Sequence, residues 1–166
     1  YYSFEYSVPV ELVEILLQDY DSETVDRLLG SSYEMRPTSI RVNTDRISVD
    51  EVERKLETAG IETVRGSLND TSRLIKGYDY VRRIPGFMDG EFVVQDQSPC
   101  LAVRAAGIQN GDLVVDVCAA PGGKTMYAAS LAGQTGRVIS RDLTENKTEL
   151  IEENVDRLGL TNVTVE

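Results

Sequence analysis

The stretch Val114-Val115-Asp116-Val117-Cys118-Ala119-Ala120-Pro121-Gly122-Gly123-Lys124-Thr125 determines how this 166-residue chain is organised. It is a short apolar strand that ends in an acidic residue, followed by a loop of small residues and directly by a helix. Small loop residues let a ligand approach the backbone, and a helix N-terminus offers N–H groups that lack intrahelical partners. The stretch therefore predicts a strand–loop–helix unit that takes a nucleotide-type cofactor against its main chain.

The residues that follow continue the same α/β unit. The pattern predicts a helix over 123–131, a strand over 137–141, a long helix from the cap Thr144 to Gly159, and a strand that begins at 162. This β-α-β-α-β order is typical of a right-handed parallel sheet with its ligand crevice at the carboxyl ends of the strands. Asp142 follows the second strand, where an acid accepts hydrogen bonds from ribose hydroxyl groups in related cofactor folds.

The loop residues discriminate between nucleotide ligands. A phosphate-binding loop for ATP or GTP requires glycine at position 118, where this chain has Cys118, and the dinucleotide pattern Gly-x-Gly-x-x-Gly is absent. Pro121 removes an N–H donor, which makes the loop a poorer pyrophosphate site. An adenosyl-type ligand, which is less anionic than ATP or a dinucleotide, remains as the candidate cofactor.

Two short helices are predicted near the start of the chain, over residues 10–19 and from Ser22 as N-cap to Gly30 as the stop. Their apolar residues recur at helical spacing. Nothing in them suggests chemistry, so the segment 1–34 is interpreted as a packing segment.

A small α+β unit is predicted over residues 35–97. In its first strand Ile40 and Val42 alternate with Arg41 and Asn43, which indicates one buried face and one polar face. A unit of this kind can lay its sheet against RNA. The remaining elements are a helix that begins with a capping box at 48–51, and strands over 61–65, 73–76 and 91–95.

The net charge of −11 argues against a general polyanion-binding surface, so the distribution of charge is more informative than its sum. Residues 1–34 carry eight acidic side chains and one basic one, whereas residues 35–100 carry eleven acidic and ten basic ones. The loop over 78–90 mixes arginines with aromatic residues. That mixture suits RNA backbone contact and base stacking, but it is also ordinary in a loop packed at the interface between two domains.

The composition excludes several classes of protein. The chain has no His and only two cysteines, Cys100 and Cys118, so neither a zinc site nor a disulfide framework nor a Ser-His or Cys-His dyad is predicted. No run of eighteen apolar residues and no basic, apolar leader occurs, so neither a membrane span nor a secretory signal is predicted. We expect a cytoplasmic location.

The segment from Asp116 to Thr125 resembles motif I of the 5-methylcytosine RNA methyltransferases, the RsmB/Nop2/NSUN family, whose signature is Asp-x-Cys-Ala-Ala-Pro-Gly-Gly-Lys-Thr. The bacterial RsmB-type ribosomal RNA enzymes in particular are similar to this chain at Ser140-Arg141-Asp142-Leu143-Thr144, at Lys147 and at Ile151-Glu152-Glu153-Asn154. Further stretches that match the family are Ser7-Val8-Pro9, Ile40-Arg41-Val42-Asn43-Thr44, Gly90-Glu91-Phe92-Val93-Val94-Gln95-Asp96-Gln97-Ser98 and Arg157-Leu158-Gly159-Leu160.

The resemblance implies an RNA-recognition-like α+β domain followed, over 98–166, by the first half of a Rossmann-like methyltransferase sheet. It implies S-adenosyl-L-methionine as the cofactor and carbon 5 of cytosine in ribosomal RNA, of the small subunit, as the substrate. The cofactor contacts that it carries over are Cys118, Ala119, Ala120, Pro121, Gly122, Gly123, Lys124 and, as the ribose ligand, Asp142.

The resemblance also implies that the catalytic cysteines lie elsewhere. In the family a cysteine thiolate adds to carbon 6 of cytosine so that carbon 5 can take the methyl group, and a second cysteine releases the product. Their Thr-Cys and Pro-Cys motifs follow the third strand and would fall beyond Glu166. Cys118, in the cofactor loop, and Cys100, at a helix start, are not expected to replace them. We therefore expect a truncated and catalytically inactive fragment.

The open side of the strand over 113–117 is expected to expose unpaired backbone and apolar side chains, which promotes pairing with a second copy.

Two other functions remain as alternatives. One is a noncatalytic RNA-binding module in which the methyltransferase half serves only as support, and the other is an ATP-dependent enzyme, which Cys118 disfavours.

Overall fold

The computed structural model describes residues 1–34 and 36–166, which divide into two compact units, Tyr1–Arg36 and Pro37–Glu166. The predicted domain boundary at residue 35 lies outside the described residues. Among those residues, no helix is both long enough and apolar enough to cross a membrane.

The described part of the first unit contains three α-helices, followed by a short 3-10 helix at Ser31–Tyr33. The α-helices are α1 (Tyr2–Glu5), α2 (Val10–Asp19) and α3 (Ser22–Gly30). Val13, Val25 and Leu29 form its small core. The two longer helices confirm the sequence prediction, whereas the single turn of α1 was not predicted.

The second unit begins with a four-stranded antiparallel sheet in the order β2-β3-β1-β4. Its strands are β1 (Thr38–Val42), β2 (Glu62–Arg65), β3 (Ser72–Lys76) and β4 (Phe92–Val94). Helix α4 (Val49–Thr58) begins at the predicted capping box of Ser48 and Glu51. It covers one face of the sheet, and the core between them contains Ile40, Val42, Val52, Leu56 and Phe92.

A three-stranded parallel sheet follows, in the order β5-β6-β7. Its strands are β5 (Leu113–Asp116), β6 (Arg137–Ser140) and β7 (Val163–Val165), and the helices of this part are α5 (Gln97–Ala105), α6 (Gly123–Ala132) and α7 (Glu145–Leu158). This arrangement confirms the predicted β-α-β-α-β order. Gly159 ends α7 in the left-handed conformation, as predicted.

Strand β5 is an edge of the parallel sheet in the described chain. Val114 packs towards the helices, whereas Leu113, Val115 and Val117 on the other face are exposed. A strand with apolar residues on both faces is typical of the middle of a parallel sheet. Among the described residues, only one of its two faces is covered.

The polar face predicted for β1 is not open to solvent, because α6 covers it, so this face is not available to RNA in the described chain. Arg41 and Asn43 are only 5% and 8% exposed. The Arg41 guanidinium lies 4.5 Å from the centre of the Tyr127 ring on α6, and Val93 of β4 packs in one cluster with Met126 of the same helix. Alternation marks a polar face, but it does not say whether water or another domain covers that face.

Two helix starts differ from the prediction. Asp21 rather than Ser22 caps α3, because its carboxylate accepts a 2.7 Å hydrogen bond from the Thr24 N–H. Helix α5 begins at Gln97, after Asp96, whereas Ser98 followed by Pro99 predicts an N-cap at Ser98 and a first helical residue at Pro99. The earlier start still leaves Cys100 in the first turn, as predicted.

Candidate cofactor site

Asp116, the last residue of β5, fixes the beginning of the loop. The Cys118 N–H donates to its Oδ1 at 3.3 Å, and the Thr125 hydroxyl of α6 donates to its Oδ2 at 2.8 Å. Thr125 Oγ1 also lies 3.1 Å from the Ser140 hydroxyl at the end of β6, and both residues are fully buried. This chain of hydrogen bonds joins β5, the loop, α6 and β6.

The loop then turns tightly into α6. Gly122 N–H donates to the Ala119 carbonyl at 2.7 Å, and the Ala120–Pro121 peptide bond is cis. Gly122 has φ +105°, and a Cβ at this position would lie 2.3 Å from Met126 Cε. A residue with a side chain would be strained here and would also displace Met126, so the turn requires glycine.

Asp142, just beyond β6, anchors the loop with its carboxylate. The Ala120 N–H donates to Oδ2 at 2.9 Å and the Leu143 N–H donates to Oδ1 at 2.8 Å. Lys147 Nζ of α7 lies 3.0 Å from Oδ1. These donors, the two backbone N–H groups first, lower the pKa of Asp142 to about 2, so its carboxylate is ionised at neutral pH.

The Asp142 carboxylate retains limited capacity for a ligand. An ionised carboxylate has about four acceptor positions, and protein donors occupy two at Oδ1 and one at Oδ2. Its side chain is 4% exposed. This count leaves one acceptor position, on Oδ2, without a protein donor.

The eight predicted contact residues come together where β5 and β6 end, because the Ala120–Asp142 hydrogen bond ties the loop to the second strand. Within the loop Cys118, Pro121 and Lys124 are exposed, whereas Ala119 and Gly122 are buried. The exposed residues can touch a ligand with their side chains. The buried residues shape the turn from inside.

Two side chains of α7 also hold this site, and sequence reasoning gave them no role in it. Asn154 Nδ2 donates to the Pro121 carbonyl at 3.0 Å, and Lys147 pairs with Asp142, which raises the pKa of Lys147. Residues seven apart lie on the same face of a helix. The spacing of Lys147 and Asn154 on a predicted helix was therefore a usable signal.

The fold is a Rossmann-like cofactor fold. Its features are a parallel sheet, a tight glycine-containing loop after the first strand, and an ionised acid after the second strand that binds this loop. The family model described as 16S rRNA methyltransferase RsmB/F matches residues 104–166. The model described as the RsmF/B-like ferredoxin-like domain matches residues 8–79. The chain belongs to the RsmB/RsmF family of ribosomal RNA methyltransferases.

Individual relatives agree with this assignment. The chain is 35% identical over 158 residues to the probable ribosomal RNA small subunit methyltransferase B of Bacillus subtilis, which covers 95% of this chain and 35% of that protein. It is 29% identical over 134 residues to the human 28S rRNA (cytosine(4447)-C(5))-methyltransferase, which covers 78% of this chain and 16% of that protein. The chain thus spans about a third or less of the length of these relatives.

A solved structure shows the same fold. The crystal structure of the protein PH0851 superimposes with a TM-score of 0.87 at 29% identity, over 99% of this chain and 37% of that one. The predicted α/β class, with an α+β domain before the beginning of a methyltransferase sheet, is confirmed.

Proposed function

We propose that this chain is the cofactor-binding part of an enzyme that uses S-adenosylmethionine to methylate carbon 5 of cytosine in small-subunit ribosomal RNA. The observation that carries the proposal is the Ala120–Asp142 hydrogen bond, which joins the motif I loop to the acid after the second strand. Ligands of open α/β sheets bind at such an edge. The small-subunit RNA in this proposal comes from the name of the Bacillus relative. Carbon 5 of cytosine comes from the name of the human relative.

The residues at this edge suit an adenosyl ligand. Ionised Asp142 offers its remaining Oδ2 position to a ribose hydroxyl, and the first turn of α6, with Gly123 and Lys124, offers N–H groups to the anionic end of the ligand. Bound there, S-adenosylmethionine supplies an electrophilic methyl group.

Neither thiol of this chain is assigned the role of the nucleophile. Cys100 is fully buried in α5, and burial is the first cause that raises the pKa of its thiol. A nucleophilic cysteine needs both access and ionisation. Cys118 is exposed, but it belongs to the loop that would hold the cofactor. We therefore propose that the thiolate that attacks cytosine comes from residues outside these 166.

The test is a pair of measurements on the chain. Calorimetric titration is expected to show binding of S-adenosylhomocysteine and none of ATP, because Cys118 and Pro121 do not suit a phosphate loop. A methyl-transfer assay on ribosomal RNA with the same sample is expected to give no product. ATP binding without S-adenosylhomocysteine binding would contradict the cofactor assignment. Methyl transfer by this chain alone would contradict the assignment of the thiols. RNA binding in the absence of any cofactor binding would favour the noncatalytic module.

We also propose that the chain pairs with a second copy through the open edge of β5. Leu113 and Val115 are 66% and 50% exposed, and β5 pairs only with β6 in the described chain. Gel filtration is expected to show a dimer that dissociates on dilution, and Val115→Lys is expected to shift it to monomer, since an edge charge opposes strand pairing. A wild-type chain that stays monomeric at every concentration is incompatible with this pairing.

A further inference from the structure

Gln95, directly after β4, lies between the antiparallel sheet and the helix that follows the cofactor loop. Its side chain is buried, and its Oε1 accepts a 2.8 Å hydrogen bond from Arg41 Nε on β1. That bond fixes the orientation of the amide, so Nε2 points the other way. Nε2 is buried and has no acceptor among the described residues.

The Gln95 amide packs against the first residue of α6. A Cβ built on Gly123 would lie 3.3 Å from Gln95 Nε2 and 3.4 Å from its Cδ, which is closer than most real Cβ contacts. Gly123 has no positive φ that would demand glycine. Its lack of a side chain is therefore explained by the close approach of Gln95 rather than by backbone conformation.

Arg41 extends the same contact by one helical turn. Its guanidinium lies over the ring of Tyr127, four residues after Gly123 and so on the same face of α6. Arg41 and Gln95, tied to each other by their hydrogen bond, therefore touch α6 at two successive positions. The cofactor loop ends where this contact begins.

We infer that Gln95 is a positioning residue for the cofactor loop, which it holds by fixing the first turn of α6 against the antiparallel sheet. The polar face of the antiparallel sheet thus supports the first turn after the cofactor loop. The positioning itself follows from the contacts, whereas its consequence for cofactor affinity rests on the proposed function.

The test measures amide hydrogen exchange of Ala120, Gly122 and Met126 in the unliganded chain, since each makes a loop or first-turn hydrogen bond. Gln95→Ala is expected to speed exchange at these amides about tenfold through local opening. Gln95→Glu keeps an acceptor for Arg41 and is expected to retain the wild-type rates. The matched control is Val52→Ala, a fully buried residue of α4 that lies outside this contact, and it is expected to leave the three rates unchanged.

A second variant tests the contact from the other side. Gly123→Ala raises helix propensity, yet it is expected to speed exchange at the same amides because the methyl group meets the Gln95 amide. In the Gln95→Ala background the same change is expected to be tolerated, so the two effects are not additive. Additive effects, wild-type exchange in Gln95→Ala, or equal acceleration in Val52→Ala would each overturn the inference.

Affinity for S-adenosylhomocysteine separates this inference from the proposed function. If the wild-type chain binds it, Gln95→Ala is expected to bind about tenfold more weakly and Gln95→Glu to bind normally. Faster exchange in Gln95→Ala together with no binding by wild type would support the positioning role and contradict the cofactor.

Discussion

Asp142→Ala is expected to weaken S-adenosylhomocysteine binding about a hundredfold, because one carboxylate both anchors the loop and offers the last acceptor position to the ligand. Removing it leaves the Ala120 and Leu143 N–H groups without their acceptor. It also leaves Lys147 without its partner. Calorimetric titration gives the affinity, and amide exchange of Ala120 in the unliganded chain reports the anchor separately.

Lys147→Met is the matched control for the ion pair. It removes only the contact of Lys147 Nζ to Oδ1, while the Ala120 and Leu143 N–H groups keep the Asp142 carboxylate as their acceptor. The Lys147 side chain is half exposed, and exposed pairs of this kind contribute little, so affinity is expected to fall no more than about fivefold. An equal loss in both variants would show that the charge of Lys147, and not the anchored loop, matters. Unchanged affinity in Asp142→Ala would remove Asp142 from the site.

The depressed pKa of Asp142 adds a pH signature to the same variant. The group has a pKa of about 2 in the folded chain against an ordinary value of 3.8. Its contribution to stability is therefore complete above about pH 5 and is lost as the pH falls through the ordinary value of 3.8 towards 2. Thermal unfolding across that window is expected to decline less steeply in Asp142→Ala than in wild type. Identical slopes would mean that the carboxylate is not selectively stabilised in the fold.

The sequence predicted the parts of this chain that local chemistry specifies. The capping box of Ser48 and Glu51 needs only residues three apart, and Gly159 is needed for a left-handed helix end. The motif I loop is likewise contiguous, so its place after an apolar strand was readable. The position of Asp142 beside the loop was readable because the topology of a parallel sheet brings the ends of neighbouring strands together.

What the sequence did not predict depends on contacts between distant segments. Arg41 alternates with apolar neighbours, which indicated a polar face on β1, but the sequence did not show that α6 covers this face. Gln95 carries no signal of burial, since an amide is ordinary after a strand. The sequence also did not show that Ala120 and Lys147 donate to the Asp142 carboxylate, because a pattern identifies an acid at the end of a strand but not the groups that donate to it.

Gly90→Ala is expected to lower the free energy of unfolding by about 3 kcal/mol or more, the largest loss for a single change at the contact between the antiparallel sheet and α7. Gly90 has φ +70°, and a Cβ there would lie 2.3 Å from the carbonyl oxygen of Arg157 and 3.1 Å from Leu158 Cα, at the end of α7. Both are backbone atoms, which cannot swing aside as a side chain does. The change must therefore push the turn before β4 away from α7.

The same contact depends on Arg157, whose guanidinium donates to the carbonyls of Phe87 and Phe92 and lies 4.1 Å from the centre of the Phe87 ring. A shift of the turn at Gly90 would break these bonds as well. Thermal or urea unfolding measures the loss, and at about 2–4 °C per kcal/mol for a chain of this size the melting temperature is expected to fall by at least about 6 °C.

Gly60→Ala is the control that isolates the clash from the backbone conformation. Gly60 has a similar φ, +76°, but a Cβ there would meet nothing within 4 Å. Only the left-handed conformation is penalised, so a loss of about 1 kcal/mol is expected. The difference between the two variants measures how tightly the antiparallel sheet is fixed to α7. Equal losses would mean that the turn at Gly90 moves freely, and that the two sheets are not held in one rigid arrangement through this contact.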